Sequence, residues 1–291
     1  MAKKKSLIRL TESLYNTPHL VSSNTFNIVM SYLDARNAGL DSTYTTVPVG
    51  SEDDDEEEDE YIIDGIGVIE IHGAMTYKPV EGMCGEVDGC SYEGILEDFE
   101  ELIDEGATTI IMDIASGGGQ GSHVFEYITE VRKLCDENDI QLFAYIDECA
   151  CSAAYAWACI ADEVIINPSG EAGSIGVLIA LTDTSKALEK MGVKRIFITA
   201  GEEKVPFAAD GSFKQSFLDD LQASVDKLGN QFVNHVAQYT GLSPETILGF
   251  QAKCFDAEES LQNGLVNNIM TKSEFAAYVA AKHKVKQTGA M

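Results

Sequence analysis

From residue 61 onward, apolar positions alternate between a period of two and a period near 3.6, the signature of strands interleaved with helices. Ile66 to Ile71 (IGVIEI) reads as a strand. Tyr92, Ile95, Leu96, Phe99, Leu102 and Ile103 recur at three- and four-residue steps and predict one face of a helix. Thr109 to Ile114 (TIIMDI) reads as a buried strand, Val124 to Leu134 as a second helix, and Gln141 to Ile146 (QLFAYI) as a third strand. A short small-residue helix from Ser152 follows, then strands at Glu163 to Asn167 and Lys194 to Thr199. Phe217, Leu221, Val225, Leu228, Phe232 and Val236 mark a long amphipathic helix ending near Gly241, and Ser243-Pro244 restarts a helix as N-cap and first residue. Short buried strands alternating with helices imply βα units and a mainly parallel sheet, hence an α/β fold.

Ahead of this domain the pattern differs. Phe26, Ile28, Val29, Tyr32 and Leu33 keep helical spacing in places, followed by a polar stretch. Glu52 to Glu60 is then an unbroken run of nine acids, which like-charge repulsion keeps extended and solvated. The expected organisation is an arm over residues 1–50, an acidic linker over 51–60 and one domain over 61–291.

Composition narrows the function classes. With 291 residues, 45% of them hydrophobic, the chain can bury a sizeable core. The formal charge is −28, and setting the nine acids aside still leaves −19. Such a surface repels phosphate backbones, so nucleic acid is not an expected partner. No run of about 18 apolar residues marks a membrane span, and Arg9 and Glu12 interrupt the stretch after Lys3, Lys4 and Lys5, so the expectation is a soluble protein that stays inside the cell. Seven cysteines (84, 90, 135, 149, 151, 159 and 254) lack paired CxxC spacing, which points to buried thiols and to neither zinc nor a disulfide framework.

Three segments break the regular pattern. Ser116-Gly117-Gly118-Gly119-Gln120-Gly121 follows a strand and precedes a helix, where glycine amides can approach and hold a developing oxyanion. A tight turn is the plainer reading, and the spacing is wrong for a dinucleotide fingerprint. Cys151-Ser152-Ala153-Ala154-Tyr155 sets a serine where a strand gives way to a helix; alone, Ser152 reads as an N-cap more readily than as a nucleophile. A nucleophile beside an amide-rich loop at the carboxyl ends of neighbouring strands is nonetheless where α/β active sites sit. Ala172-Gly173-Ser174-Ile175-Gly176-Val177 is followed by Gly201-Glu202-Glu203-Lys204. Serine needs a base. His123 is the only histidine near the glycine loop, and a lysine in apolar surroundings, as Lys204 has on its C-terminal side, is the other choice; a plain surface lysine is the alternative.

Taken in order, the glycine loop, CSAAY at 151–155, AGSIGV at 172–177, ITAGEEK at 198–204 and CFDAEESLQNGLVN at 254–267 resemble the S49 peptidases, that is, signal peptide peptidase A and its phage relatives, the head maturation proteases. The resemblance runs from about residue 62 to 270, and TPHLVSSNTFNIVMSYLDAR looks more loosely like a phage leader. It implies a Clp-protease/crotonase-like fold and a Ser-Lys dyad without cofactor or metal. Ser152 matches the nucleophile, Lys204 the base and Ser174 the serine that orients the lysine; Gly119 and Ala153, with Gly118 beside them, match the oxyanion hole. It further implies a homo-oligomer, because short bacterial members form rings that unite serine and lysine from neighbouring subunits. Protein substrates of a phage head (capsid, scaffold or portal-associated chains) and a place in the host cytoplasm or inside the prohead follow in the same way. Two positions depart from the family pattern: Gly117 stands where SPGG has proline, and Ala153-Ala154 where glycines usually follow the serine. A catalytically silent shell component and an acyl-CoA enzyme of crotonase type are the competing expectations.

Overall fold

The computed structural model describes residues 18–23, 62–79, 89–208 and 210–289. The acid run, Cys84 and the helical spacing at Phe26 to Leu33 lie outside the described residues.

Strand β1 (His19–Val21) comes first, then β2 (Ile62–Ile63), β3 (Ile66–His72), β4 (Met75–Thr76) and β5 (Cys90–Ser91). Helix α1 (Tyr92–Asp104) is capped by the Ser91 hydroxyl, which accepts from the Gly94 amide at 3.0 Å. Next come β6 (Thr109–Ser116), β7 (Gly118–Gln120), α2 (Val124–Glu137), β8 (Gln141–Cys151), α3 (Ala153–Ala158), β9 (Glu163–Ile166) and β10 (Glu171–Gly173). The chain closes with α4 (Ser185–Lys190), α5 (Gln215–Thr240), α6 (Pro244–Gly249), β11 (Cys254–Asp256), α7 (Ala257–Gln262), β12 (Asn268–Ile269) and α8 (Lys272–Gly289).

The main sheet runs β11-β10-β8-β6-β3-β2, with β9 also on β8 and β12 on β9. β3, β6, β8, β9, β10 and β12 pair in parallel; only β2 and β11 are antiparallel to their neighbours. β8 explains why QLFAYI is continuously apolar. Leu142, Ala144 and Ile146 face the main core, whereas Phe143 and Tyr145 face a second cluster with Ile165 and with Phe275 and Val279 of α8. A central parallel strand buried on both faces has no polar side to show. Its first half carries β9 (Phe143 to Ile146) and its last three residues carry β10 (Cys149 to Cys151), so the strand reaches beyond its apolar run and delivers Ser152 at its carboxyl end.

A smaller sheet, β1-β7-β4-β5, sits at that end. Residues 19–21, which the pattern assigns to the arm, are thereby part of the domain: His19, Leu20 and Val21 face Gln120, Gly119 and Gly118 in antiparallel register.

Most elements follow the periodicity, with one correction. Lys194 to Thr199 forms no strand. Ile196, Phe197 and Ile198 are 76%, 50% and 97% exposed, and among the described residues the segment has no neighbouring strand to complete its backbone hydrogen bonds. α5 is also uneven: Phe232, Val233 and Val236 are buried, while Phe217 on its first turn is only half-buried.

Candidate active site

Ser152 sits between β8 and α3 with φ 58° and ψ −116°, a conformation that L-residues avoid and that costs about 1–3 kcal/mol. Surrounding bonds hold it there: its amide donates to the Gly173 carbonyl at 2.8 Å, and its carbonyl accepts from Ala156 at 3.1 Å. The residue is fully buried. Its hydroxyl makes no capping bond, so the N-cap reading does not describe it. The hydroxyl partner is the Gly176 carbonyl at 3.4 Å, long for an O–H···O bond. A strained serine with a loosely held proton is suited to attack once a base takes that proton.

The glycine segment turns out to form β7, an inner strand of the smaller sheet. Gly118 has φ +96°, and a Cβ there would lie 2.3 Å from the Leu20 carbonyl oxygen, 2.8 Å from that of Cys151 and 3.1 Å from the Ala153 amide nitrogen. Only glycine lets these groups converge. The Ser116 hydroxyl accepts from the Gly118 amide at 3.1 Å and donates to the Gly73 carbonyl at 2.6 Å, so that amide is already engaged. Gly119, next on the strand, lies opposite Leu20 on one side and Met75 on the other, and Ala153 opens α3 directly after Ser152. Gln120 fixes the strand, since its side-chain carbonyl accepts from Tyr77 N at 2.8 Å and its backbone carbonyl accepts from the Tyr92 hydroxyl.

Ser174 is buried, with φ 53°, in the segment that touches Ser152 through Gly173 and Gly176. Its amide donates to the Lys253 carbonyl at 3.0 Å. Its hydroxyl faces Cys254, whose thiol also meets Cys151 with 3.5 Å between the sulfurs. Hydrogen bonds from Cys151 and then Ser174 draw the Cys254 thiol down to about 7 against the opposing effect of burial, while bonding to Cys254 and burial push Cys151 up. Sequence reasoning missed this thiol pair, which forms because Gly173 between the two strands has no side chain.

Lys204 lies in a single 3-10 turn (Glu202–Lys204) and is exposed, as are Glu202 and Glu203. Among the described residues no hydrogen bond joins it to Ser152. One chain thus brings together Ser152, Ser174, Ala153 and the Gly118–Gly119 strand, but not Lys204. Among the described residues no histidine is hydrogen-bonded to Ser152: His123 stacks on Tyr77 with ring centres 4.3 Å apart, and buried His235 donates from Nε2 to the Ala156 carbonyl at 2.9 Å. Among the described residues no group of three or more His, Cys, Asp or Glu side chains is arranged to hold a metal ion, and no helix is long and apolar enough to cross a membrane.

The chain matches the model of Peptidase family S49 over residues 136–286. It is 25% identical over 225 residues to the Head-tail preconnector protein GP5 of Enterobacteria phage P21, covering 75% of this chain and 43% of that protein. Capsid assembly protease C of Escherichia phage lambda is 25% identical over 219 residues, covering 73% and 48%. The Probable protease SohB of Haemophilus influenzae is 26% identical over 157 residues, covering 52% and 44%. The chain spans less than half the length of these three relatives. Among solved structures, a ClpP1 variant from Listeria monocytogenes superposes with a TM-score of 0.46 at 13% identity, over 71% of this chain and 92% of that one.

Proposed function

Because the chain belongs to peptidase family S49, we propose that it is a serine endopeptidase whose nucleophile is Ser152. The observation that carries this reading is the strained, buried Ser152 with the Ala153 amide and the glycine strand converging beside it. Ser152 Oγ attacks the scissile carbonyl, a base accepts its proton, and the Gly119 and Ala153 amides stabilise the oxyanion. The leaving amine takes the proton, and water then hydrolyses the acyl-enzyme.

The base is Lys204 of a neighbouring copy. Two features support this: Lys204 is exposed while its own Ser152 is buried, and it follows a segment with five outward apolar side chains, Met191, Val193, Ile196, Phe197 and Ile198. Exposed apolar residues in such number fit a second protein surface. Ser174 then orients the incoming amine from within the Ser152 pocket. Similarity to the phage lambda capsid assembly protease makes head proteins the substrates of this reading.

Ser152→Ala and Lys204→Ala chains, each co-expressed with a capsid substrate, test it. Processing is lost in both, and mixing the two variants restores part of it if the residues pair between subunits. Processing that persists in Ser152→Ala overturns the mechanism.

A further inference from the structure

The segment Pro18–Ser22 lies flat along the glycine strand. Ser22 N donates to the Gly117 carbonyl at 2.8 Å, and Gly121 N donates to the Pro18 carbonyl at 3.1 Å. Hydrogen-bonded pairs alternate in an antiparallel ladder, so Leu20 and Gly119, midway between them, form the next such pair. The Gly119 amide therefore faces the Leu20 carbonyl. That same carbonyl shares the space beside Gly118 with the Ala153 amide, the other oxyanion donor of the proposed reaction. On its opposite edge the segment is clasped as well: His19 N donates to the Leu178 carbonyl at 2.9 Å, and Leu178 N donates to the His19 carbonyl at 3.0 Å.

The Leu20 side chain is fully buried. Its floor is Gly121, where a Cβ would come within 2.9 Å of Leu20 Cδ1 and 2.7 Å of Leu228 Cδ2. An extended backbone held on both edges, one carbonyl paired with the Gly119 amide in the neighbourhood of the Ala153 amide and the adjoining side chain in an apolar recess together describe a bound peptide substrate.

We propose that Pro18–Ser22 occupies the peptide cleft in the register of a substrate, which assigns the recess bounded by Gly121 and Leu228 to a leucine-sized aliphatic side chain on the acyl side of the cleaved bond. The proposal rests on Ser152 being the nucleophile. The bond presented is Leu20–Val21. Ser152 Oγ adds to the Leu20 carbonyl carbon, the C–N bond breaks, and the Val21 nitrogen leaves as an amine carrying the proton taken from Ser152. Water then hydrolyses the Leu20 ester to a carboxylate and restores the hydroxyl.

The test uses the full chain, its Leu20→Asp and Leu20→Ala variants, and a quenched fluorescent peptide TPHLVSSN supplied in trans. Cleavage falls between Leu and Val, and alanine in place of that leucine lowers kcat/KM by about 100-fold. Both Leu20 variants turn the peptide over faster than the parent chain, because the competing strand is weakened; using two variants guards against one that fails to fold. Gly121→Ala narrows the recess and reverses the preference toward the alanine peptide. Cleavage at another bond, equal rates for the two peptides, or equal rates for parent and variants overturns the proposal. A fluorophosphonate probe, run in parallel, separates the two layers. If Ser152 is labelled while the peptide stays intact, the substrate register is wrong and the nucleophile stands; if it is not labelled, the nucleophile reading fails and this proposal with it.

Discussion

Gly119→Ala is the sharpest perturbation of the proposed oxyanion hole. Its Cβ would lie 1.8 Å from the Met75 carbonyl oxygen, 2.5 Å from the carbonyl carbon and 2.8 Å from Cα. These are backbone atoms of β4, so no rotamer relieves the contact. Restoring even 3.0 Å from 1.8 Å parts β4 and β7 by more than an ångström, and the Gly119 amide moves with its strand. Overpacking of this kind destabilises by about 1–3 kcal/mol. Misplacing an oxyanion donor by an ångström lowers kcat by about 100-fold or more. Steady-state kinetics on a peptide substrate, with thermal unfolding in parallel, separates the two effects. Gly229→Ala is the control, since nothing lies within 4 Å of the added carbon in the interior of α5; it raises stability by about 0.5–1 kcal/mol and leaves kcat alone. A Gly119→Ala chain that loses stability but keeps its kcat would refute the assignment of that amide to catalysis.

Three further outcomes follow. Ser152→Gly relieves a positive φ and forfeits only a 3.4 Å hydrogen bond, so the inactive variant unfolds at a higher temperature, by about 1 kcal/mol; a lower temperature would mean that the backbone is not strained. His235 is held below the ordinary imidazole range, chiefly by burial and against its bond to Ala156. A depressed histidine keeps the fold most stable above the unfolded value near 6.5 and loses stability as pH falls below it, so the drop in melting temperature between about pH 7 and 5 is smaller in His235→Gln. Ile198→Asp, at a side chain 97% exposed, leaves monomer stability within about 0.5 kcal/mol and shifts sedimentation toward the monomer; an unchanged distribution would remove this segment from any subunit contact.

The alternation of strands and helices was legible because the burial of each element follows its own period, as Tyr92, Ile95, Phe99 and Leu102 do along α1. Ser152 was found by its place after a strand, but its positive φ was not, since a serine preceding alanines reads as an ordinary cap. The strand expected at Lys194 to Thr199 has the right composition and lacks a strand partner among the described residues, and composition does not reveal partners. β1 went unread for the opposite reason. Three residues carry no period, and their partners lie about a hundred positions away at Gly118 to Gln120. The Cys151–Cys254 contact likewise depends on β10 threading between two strands far apart in sequence.

Localising a fluorophosphonate adduct by mass spectrometry tests the central claim most directly. The account predicts a single adduct on Ser152, absent from the Ser152→Ala chain. An adduct on Ser174 or another serine, or labelling that survives Ser152→Ala, would contradict it.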